Sequence, residues 1–354
     1  MNTFRFAILG CGRIAPRHAD CLARIEKAEL VAAADSDTQR ATQFGERYSV
    51  PTFSSSRELL NWGNFDVVSI CTPSGLHCEN ALEFLRAGKH VVVEKPMALS
   101  LQDAELMIKV AAQNDRKLFV VKQNRYNPPV MALRKALQQE RFGKLTLGTV
   151  RVRWSRNQSY YDRDSWRGTW AFDGGVLANQ ASHHIDLLLS CMGEVESVFA
   201  KTTNSLANIE CEDTALVMIK FKSGAMGLIE ATTATRPRDL EGSISILGEY
   251  GSVEICGFAL NEMRHFQFTK ELPEDREIQQ MKSLDQSSVY GKGHLPYLSD
   301  VVNVLAGTSS PLVDGVEGKK SLAVIVASYI SAKLGREITI EESLQLSCRL
   351  GEKT

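Results

Sequence analysis

A strand-like run, Phe4 to Leu9, ends on Gly10-Cys11-Gly12-Arg13-Ile14-Ala15, and a helical pattern begins on its far side. Nothing else in the chain restricts its fold as much. The first glycine permits a tight turn, the second lets a ligand come close to the backbone, and the alanine lets the helix pack near the strand. A helix N-terminus placed there presents N–H groups and the positive end of its dipole to an anion. Gly10, Gly12, Arg13 and Ile14 are therefore the candidate cradle for the pyrophosphate of a dinucleotide.

The pattern that follows supports this setting. Leu30 to Ala34, Val67 to Ile70, Val91 to Val93 and Leu118 to Val121 are further strand candidates, separated by helical stretches. One helix, Glu79 to Ala87, stops at Gly88, and another opens on Ser100-Leu101-Gln102-Asp103, which has the form of a capping box. Strands alternating with crossover helices predict βαβ units and a parallel sheet. Asp35 closes the second strand, where a carboxylate can accept hydrogen bonds from an adenosine ribose and would repel a 2′-phosphate. Ser36 rather than an arginine follows it, so the expected cofactor is NAD rather than NADP.

With 41 Lys+Arg against 42 Asp+Glu the net charge is -1, and no basic stripe suggests nucleic acid as a partner. The eight cysteines include no CxxC pair and read as reduced thiols. No apolar stretch is long enough to span a membrane, and the expected location is cytoplasmic.

After residue 121 the texture changes. Gln123-Asn124-Arg125-Tyr126-Asn127-Pro128-Pro129 breaks the pattern, which places a domain junction near residue 124. Residues 1–124 are expected to form a Rossmann domain and residues 125–354 an α+β domain for substrate and assembly. In the second, Thr146 to Trp154, Val195 to Thr202, Thr214 to Phe221, Ala225 to Thr232, Gly242 to Leu247 and Gly251 to Cys256 read as strands. Most of their connections are short, so they should pair antiparallel. Helices are expected near Ala181 to Met192 and over Gly318 to Leu334, and the polar stretch 269–290 as a surface loop or interface arm.

Three further segments carry candidate chemistry. Cys71-Thr72-Pro73-Ser74-Gly75-Leu76-His77 and Glu94-Lys95-Pro96 both follow strands at the carboxyl edge of the predicted sheet, where doubly wound folds bind ligands. Thr72, Pro73, His77 and Glu94 are candidate cofactor contacts. Lys95 could place a cation beside the nicotinamide and steady a developing alkoxide. In Gly174-Gly175-Val176-Leu177-Ala178-Asn179-Gln180-Ala181-Ser182-His183-His184-Ile185-Asp186, a helix starting near Asn179 would put Asn179, His183 and Asp186 on one face. Histidine suits proton abstraction from an alcohol. A zinc site from His183, His184 and Asp186 is disfavoured, because neighbouring helical residues point about 100° apart.

Together GCGRIA, Asp35, CTPSGLH, EKP and the GG…H…D segment closely resemble the Gfo/Idh/MocA family of sugar and polyol dehydrogenases, over essentially the whole chain. The resemblance implies an NAD-dependent oxidation of a secondary hydroxyl, with Lys95 as the EKP lysine and His183 as the proton acceptor. It also implies an open, mainly antiparallel C-terminal sheet and a homo-oligomer, dimer or tetramer. The chain departs from the family at Asn179, where an aspartate is common.

The stretches Tyr160-Tyr161-Asp162-Arg163-Asp164-Ser165-Trp166-Arg167-Gly168-Thr169-Trp170 and Asn208-Ile209-Glu210-Cys211-Glu212-Asp213-Thr214 look like those bacterial members that oxidise the 3-hydroxyl of a UDP-N-acetylglucosaminuronate for lipopolysaccharide amino sugars. A nucleotide sugar with a uronate and a pyrophosphate needs cations and hydroxyl donors. Arg125, Tyr126, Arg156, Tyr160, Tyr161, Arg167, Asn179 and His183 are the candidate substrate ligands.

Overall fold

Six short strands form the first sheet: β1 (Phe4–Leu9), β2 (Ala28–Ala34), β3 (Thr52–Phe53), β4 (Val67–Ile70), β5 (His90–Val93) and β6 (Leu118–Val120). All neighbours are parallel, in the order β3-β2-β1-β4-β5-β6. Strands buried on both faces are largely apolar, and β4 and the last three residues of β5 supply Val67, Val68, Ile70, Val91, Val92 and Val93, all fully buried, with Ser69 the one polar residue among them. The chain runs outward from β1 through β2 to β3 and then returns to β4, so the strand order reverses between β1 and β4. The helix Leu101–Gln113 starts where the capping pattern places it, with Ser100 Oγ accepting the Asp103 N–H at 3.0 Å.

The computed structural model describes residues 3–281 and 291–346, which divide into two compact units. The chain leaves the first unit after Lys122, and residues His294–Lys319 return to it. That return differs from the two consecutive blocks expected from sequence. The returning helix His294–Leu305 packs on the helix Ala15–Leu22. Close packing near β6 depends on glycine: a Cβ on Gly318 would lie 2.4 Å from Val120 Cγ2.

The second unit holds β7 (Leu145–Arg153), β8 (Val195–Thr203), β9 (Thr214–Phe221), β10 (Met226–Thr232), β11 (Glu241–Gly248), β12 (Gly251–Cys256), β13 (Glu262–Phe268) and β14 (Ile338–Thr339). Their order is β13-β12-β11-β7-β10-β9-β8-β14, with only β7 and β10 parallel. Alternate residues point to opposite faces. Along β9, Ala215, Val217, Ile219 and Phe221 are buried, while Leu216 and Met218 are exposed. Leu147, Leu247 and Met226 join them on the open face, Leu147 pairing with both of the others.

Strand β13 escapes a reading by alternation because a register shift between Glu254 and Ile255 in β12 breaks the pairing pattern opposite it. The stretch expected as a loop from residue 269 contains a short helix, Asp275–Gln279, and Asp275 is held by a bidentate pair with Arg141 at 2.8 and 2.6 Å. Residues 282–290 of that stretch lie outside the described residues. The seven described cysteines are free thiols, and no helix among the described residues is long and apolar enough to cross a membrane.

Gly318→Ala should lower stability although alanine is the better helix former. Overpacking against the rigid Val120 costs about 1–3 kcal/mol, which exceeds the helix-propensity gain of about 1 kcal/mol. Urea unfolding followed by circular dichroism measures the net loss, and a stabilised variant would contradict it.

Candidate active site

The glycine turn sits where β1 ends. Gly10 has φ +89°, and a Cβ there would lie 2.8 Å from the backbone of Cys71 and Thr72, so only glycine fits between the ends of β1 and β4. Gly12 is different, because its missing Cβ would meet nothing within 4 Å. That open space is what a pyrophosphate approaching the backbone requires. Ala15 is fully buried, and the helix it opens has no side-chain cap; Pro16 carries no N–H and the Arg17 N–H bonds the Ile14 carbonyl at 2.9 Å, so an anion would meet the N–H groups of the turn before it. Arg13 is exposed and Ile14 half-buried beside the turn.

Asp35 closes this cradle, its Oδ2 accepting the Cys11 N–H at 2.7 Å and its Oδ1 the Asp37 N–H at 2.9 Å. Sequence reasoning missed Arg40, whose guanidinium comes within 3.6 Å of Asp35 and 3.3 Å of Asp37. It stands one helical turn beyond the strand end, and only the helix geometry brings it back. These residues fit NAD: they would hold its pyrophosphate and adenosine ribose.

The two later strand-end motifs are built on buried histidines. Thr72 and Pro73 are half-buried at the end of β4, with Thr72 Oγ1 donating to Asn80 Oδ1 at 3.0 Å. His77 is expected as a cofactor contact, but it is 1% exposed, with Nδ1 2.7 Å from the Pro96 carbonyl and Nε2 2.9 Å from the Thr72 carbonyl. Both nitrogens are therefore committed to backbone.

Glu94 is also turned inward, 3.0 Å from His18 Nε2, and it accepts the Lys95 N–H at 3.2 Å. Burial pushes its carboxyl up, but the His18 hydrogen bond and the charges of His18, His294 and Lys95 outweigh that and hold it at about 2. One ligand atom each from His18, Glu94 and His294 lies within 4.8 Å of the others. A metal there would have to break the His18–Glu94 bond, since the other nitrogen of His18 faces Ser69 Oγ at 3.3 Å. The trio reads as support for Glu94. Lys95 is half-buried at the strand end.

In the second unit the histidine segment is not one continuous α-helix. Val176–Gln180 forms a π-helical turn and the α-helix starts at Ser182. Asn179 and His183 are both half-buried, whereas Asp186 is turned away into a bidentate ion pair with Arg125 at 2.7 and 2.8 Å. Arg125 is 6% exposed. A charge already matched in this way has little left for a substrate anion, so its part is structural.

The Asn179 amide donates to the Asp173 carboxylate, which puts an acid beside the position where the family has one. The Gln123 amide nitrogen lies 3.2 Å from His183 Nε2, and with the amide in this orientation that ring nitrogen accepts. His184 points into the core against Trp154, and burial pushes it down to about 3. His183, His184 and Asp186 are thus not gathered around a common point.

Glu212, unremarked as a site residue in the sequence, holds the π-helical turn. Its carbonyl accepts the Val176 N–H at 3.0 Å, and its Oε1 accepts the Leu177 N–H at 3.0 Å and the Tyr329 hydroxyl at 2.7 Å. Burial pushes its carboxyl up to about 7 despite those donors.

The arginine-rich loop forms a stacked cluster. Arg167 lies over Tyr160 and Trp166 at 4.7 and 4.5 Å and bonds Asp164 and the Tyr160 hydroxyl. Arg156 lies over Trp154 and Tyr160 and reaches Asp239 at 3.0 Å. Tyr160 also accepts from Gln180 Nε2 at 3.0 Å, which ties this cluster to the π-helical turn. Tyr161 is a correction: its ring is buried and its hydroxyl bonds Thr233 Oγ1 at 2.9 Å, so it packs the loop. Tyr126 lies half-buried in the turn Gln123–Tyr126. A cavity of about 420 Å³ runs along Gln158, Arg167, Gly168 and Asn208. A larger one of about 530 Å³, beside Arg5, Asp66 and Lys89, lies at the amino edge of the first sheet and contains no candidate residue.

Residues 4–122 match the oxidoreductase family with the NAD-binding Rossmann fold, and residues 130–254 match the GFO/IDH/MocA C-terminal domain. The WlbA dehydrogenase from Bordetella pertussis, solved in complex with NADH and UDP-GlcNAcA, is 41% identical with a TM-score of 0.90, over 96% of this chain and 98% of that one. The WlbA dehydrogenase from Chromobacterium violaceum, solved with the same two ligands, is 43% identical with a TM-score of 0.90, over 96% of both chains. The myo-inositol 2-dehydrogenase of Thermotoga maritima is 27% identical over 96% of this chain and 99% of that protein.

Asp35→Ala should weaken NADH binding by roughly ten- to a hundredfold, the loss expected for one or two hydrogen bonds to a charged acceptor. Fluorescence titration with NADH and NADPH reads it, and unchanged NADH affinity would remove Asp35 from ribose recognition.

Glu212 generates a pH prediction. The folded chain keeps a proton that the unfolded chain releases in the ordinary glutamate range, so stability falls as pH rises from that range to about 7. The total is of order 1–3 kcal/mol. Unfolding midpoints measured across pH should show this slope in the wild type and a flatter one in Glu212→Gln.

Proposed function

The chain belongs to the Gfo/Idh/MocA family of NAD-dependent oxidoreductases, and we propose that it oxidises the 3-hydroxyl of UDP-N-acetylglucosaminuronate to the 3-keto sugar nucleotide. The observation that carries this reading is the likeness to the two sugar-nucleotide dehydrogenases over nearly the whole of each chain. The stacked pair Arg156 and Arg167, with the Tyr160 hydroxyl between the loop and Gln180, supports it. Cations on aromatic faces beside a hydroxyl suit a uronate and a pyrophosphate.

In this mechanism His183 takes the proton from the sugar hydroxyl and Lys95 donates a hydrogen bond to that oxygen as charge develops on it. The Gln123 amide nitrogen meets His183 Nε2, the lone pair that takes the proton, so the sugar hydroxyl would displace that amide there, and Asn179, held by Asp173, orients the substrate. NAD, when bound, supplies the hydride-accepting ring. The ketone product is suited to amination at C3, as in the making of amino sugars for lipopolysaccharide. The exposed Leu147, Leu216, Met218, Met226 and Leu247 on the open face of the second sheet favour a homo-oligomer, since an apolar surface of this kind gains by being covered. Oxidation of a free polyol is the second reading, favoured by the inositol dehydrogenase relative.

Enzyme at stoichiometric concentration is mixed with NAD and, separately, UDP-N-acetylglucosaminuronate, UDP-N-acetylglucosamine, myo-inositol and glucose, and nicotinamide reduction is recorded in a single turnover. Reduction is expected with the uronate alone, and reduction with myo-inositol instead would move the assignment to the polyol reading. His183→Ala should lower the rate by roughly 10²–10⁴-fold, as loss of a general base does, with NADH affinity retained. A normal rate would remove His183 from the chemistry.

A further inference from the structure

The committed ring of His77 has a consequence for its charge. Both of its partners, the carbonyls of Thr72 and Pro96, can only accept hydrogen bonds, and a neutral imidazole carries a single N–H. With the ring 1% exposed, no solvent can stand in for a missing donor. A neutral ring would press a nitrogen lone pair against a carbonyl lone pair at 2.7 or 2.9 Å.

We propose that His77 is a positioning residue for Lys95: its imidazole, protonated on both nitrogens, bonds both carbonyls and locks the turn carrying Lys95 to the Thr72 loop.

Two charged groups act on the ring. Burial, the largest influence, draws the ring below the ordinary histidine value with the help of Lys95, and the two carbonyls and Glu94 only partly offset it. Glu94 is itself held at about 2 and so remains an anion throughout the working range. The geometry stands against that direction, because only the doubly protonated ring satisfies both carbonyls at 2.7 and 2.9 Å. The Pro96 carbonyl belongs to the residue after Lys95, and the Thr72 carbonyl to the loop after β4. A clamp between them limits how far the lysine's backbone can shift from the loop expected to skirt the nicotinamide. This inference rests on the reading of Lys95 as the group that steadies the substrate oxygen.

Its charge state can be tested without substrate or cofactor. The full chain, labelled with ¹⁵N in its seven histidines, is examined by two-bond proton–nitrogen correlation near neutral pH. The His77 ring is identified by its cross-relaxation with Pro96 and by its disappearance in His77→Gln. Two protonated nitrogens are expected, persisting until pH rises through the ring's pKa in the folded chain. One protonated and one bare nitrogen would overturn the proposal, whatever the substrate proves to be.

The positioning role has its own readout. In His77→Gln the side chain can donate to only one side of the clamp as before, and kcat should fall roughly ten- to a hundredfold with NADH affinity changed less than about threefold. A kcat within about twofold of wild type, or a matching loss of NADH affinity, would overturn it.

Discussion

The carboxyl ends of β1 and β4 approach so closely that no side chain can stand between them. A Cβ on Gly10 would lie 2.8 Å from the backbone of Cys71, and the glycine's positive φ turns the chain out of the sheet at that point. The strand order reverses at the same place, and a parallel sheet opens a crevice where its crossover connections diverge. The features assigned to cofactor binding in the first unit follow from this. Asp35 reaches the turn because β2 lies beside β1, and the Thr72 and Lys95 loops follow β4 and β5 at the same edge.

Buried polar groups then keep those loops in place, and they do so through partners distant in sequence. Glu94 is held by His18, and His77 joins the Thr72 and Pro96 carbonyls. In the second unit Arg125 is matched by Asp186 and Arg141 by Asp275, each through two short bonds. A buried charge without its partner is far more costly than the pair, so such residues are fixed by their surroundings and are poor candidates for ligand contact. Arg156 and Arg167 are also paired, with Asp239 and Asp164, but each meets its carboxylate through one guanidinium nitrogen and lies over the Tyr160 ring. Glu212 is the exception among the carboxylates, with donors on one oxygen only and its proton affinity raised by burial.

Much of the fold was legible because its causes are local. Five of the first sheet's strands fall where apolar runs stop at turns, the two-residue β3 being too short to show a pattern, and the helix Leu101–Gln113 starts at the serine that caps it. The second sheet was legible wherever side chains alternate strictly, as in β9, and lost at β13, where a bulge disturbs the alternation. In the candidate site the segments could be named from sequence, but not the direction in which each side chain turns. Arg125, Tyr161 and His77 have the chemistry of ligand contacts, yet each is turned to a protein partner. Arg40, Gln123 and Glu212 gave no sign in sequence of the groups they meet.

The sequence by itself determined the family, the glycine turn at the end of β1 and most of the strands, because glycine spacing, strand-end motifs and apolar periodicity act over a few residues. Tertiary structure decided which polar side chains keep a free face and which are spent on support. It also decided that residues 294–319 return to the first unit. Both depend on which distant groups become neighbours once the chain is packed, and no spacing along the chain records that.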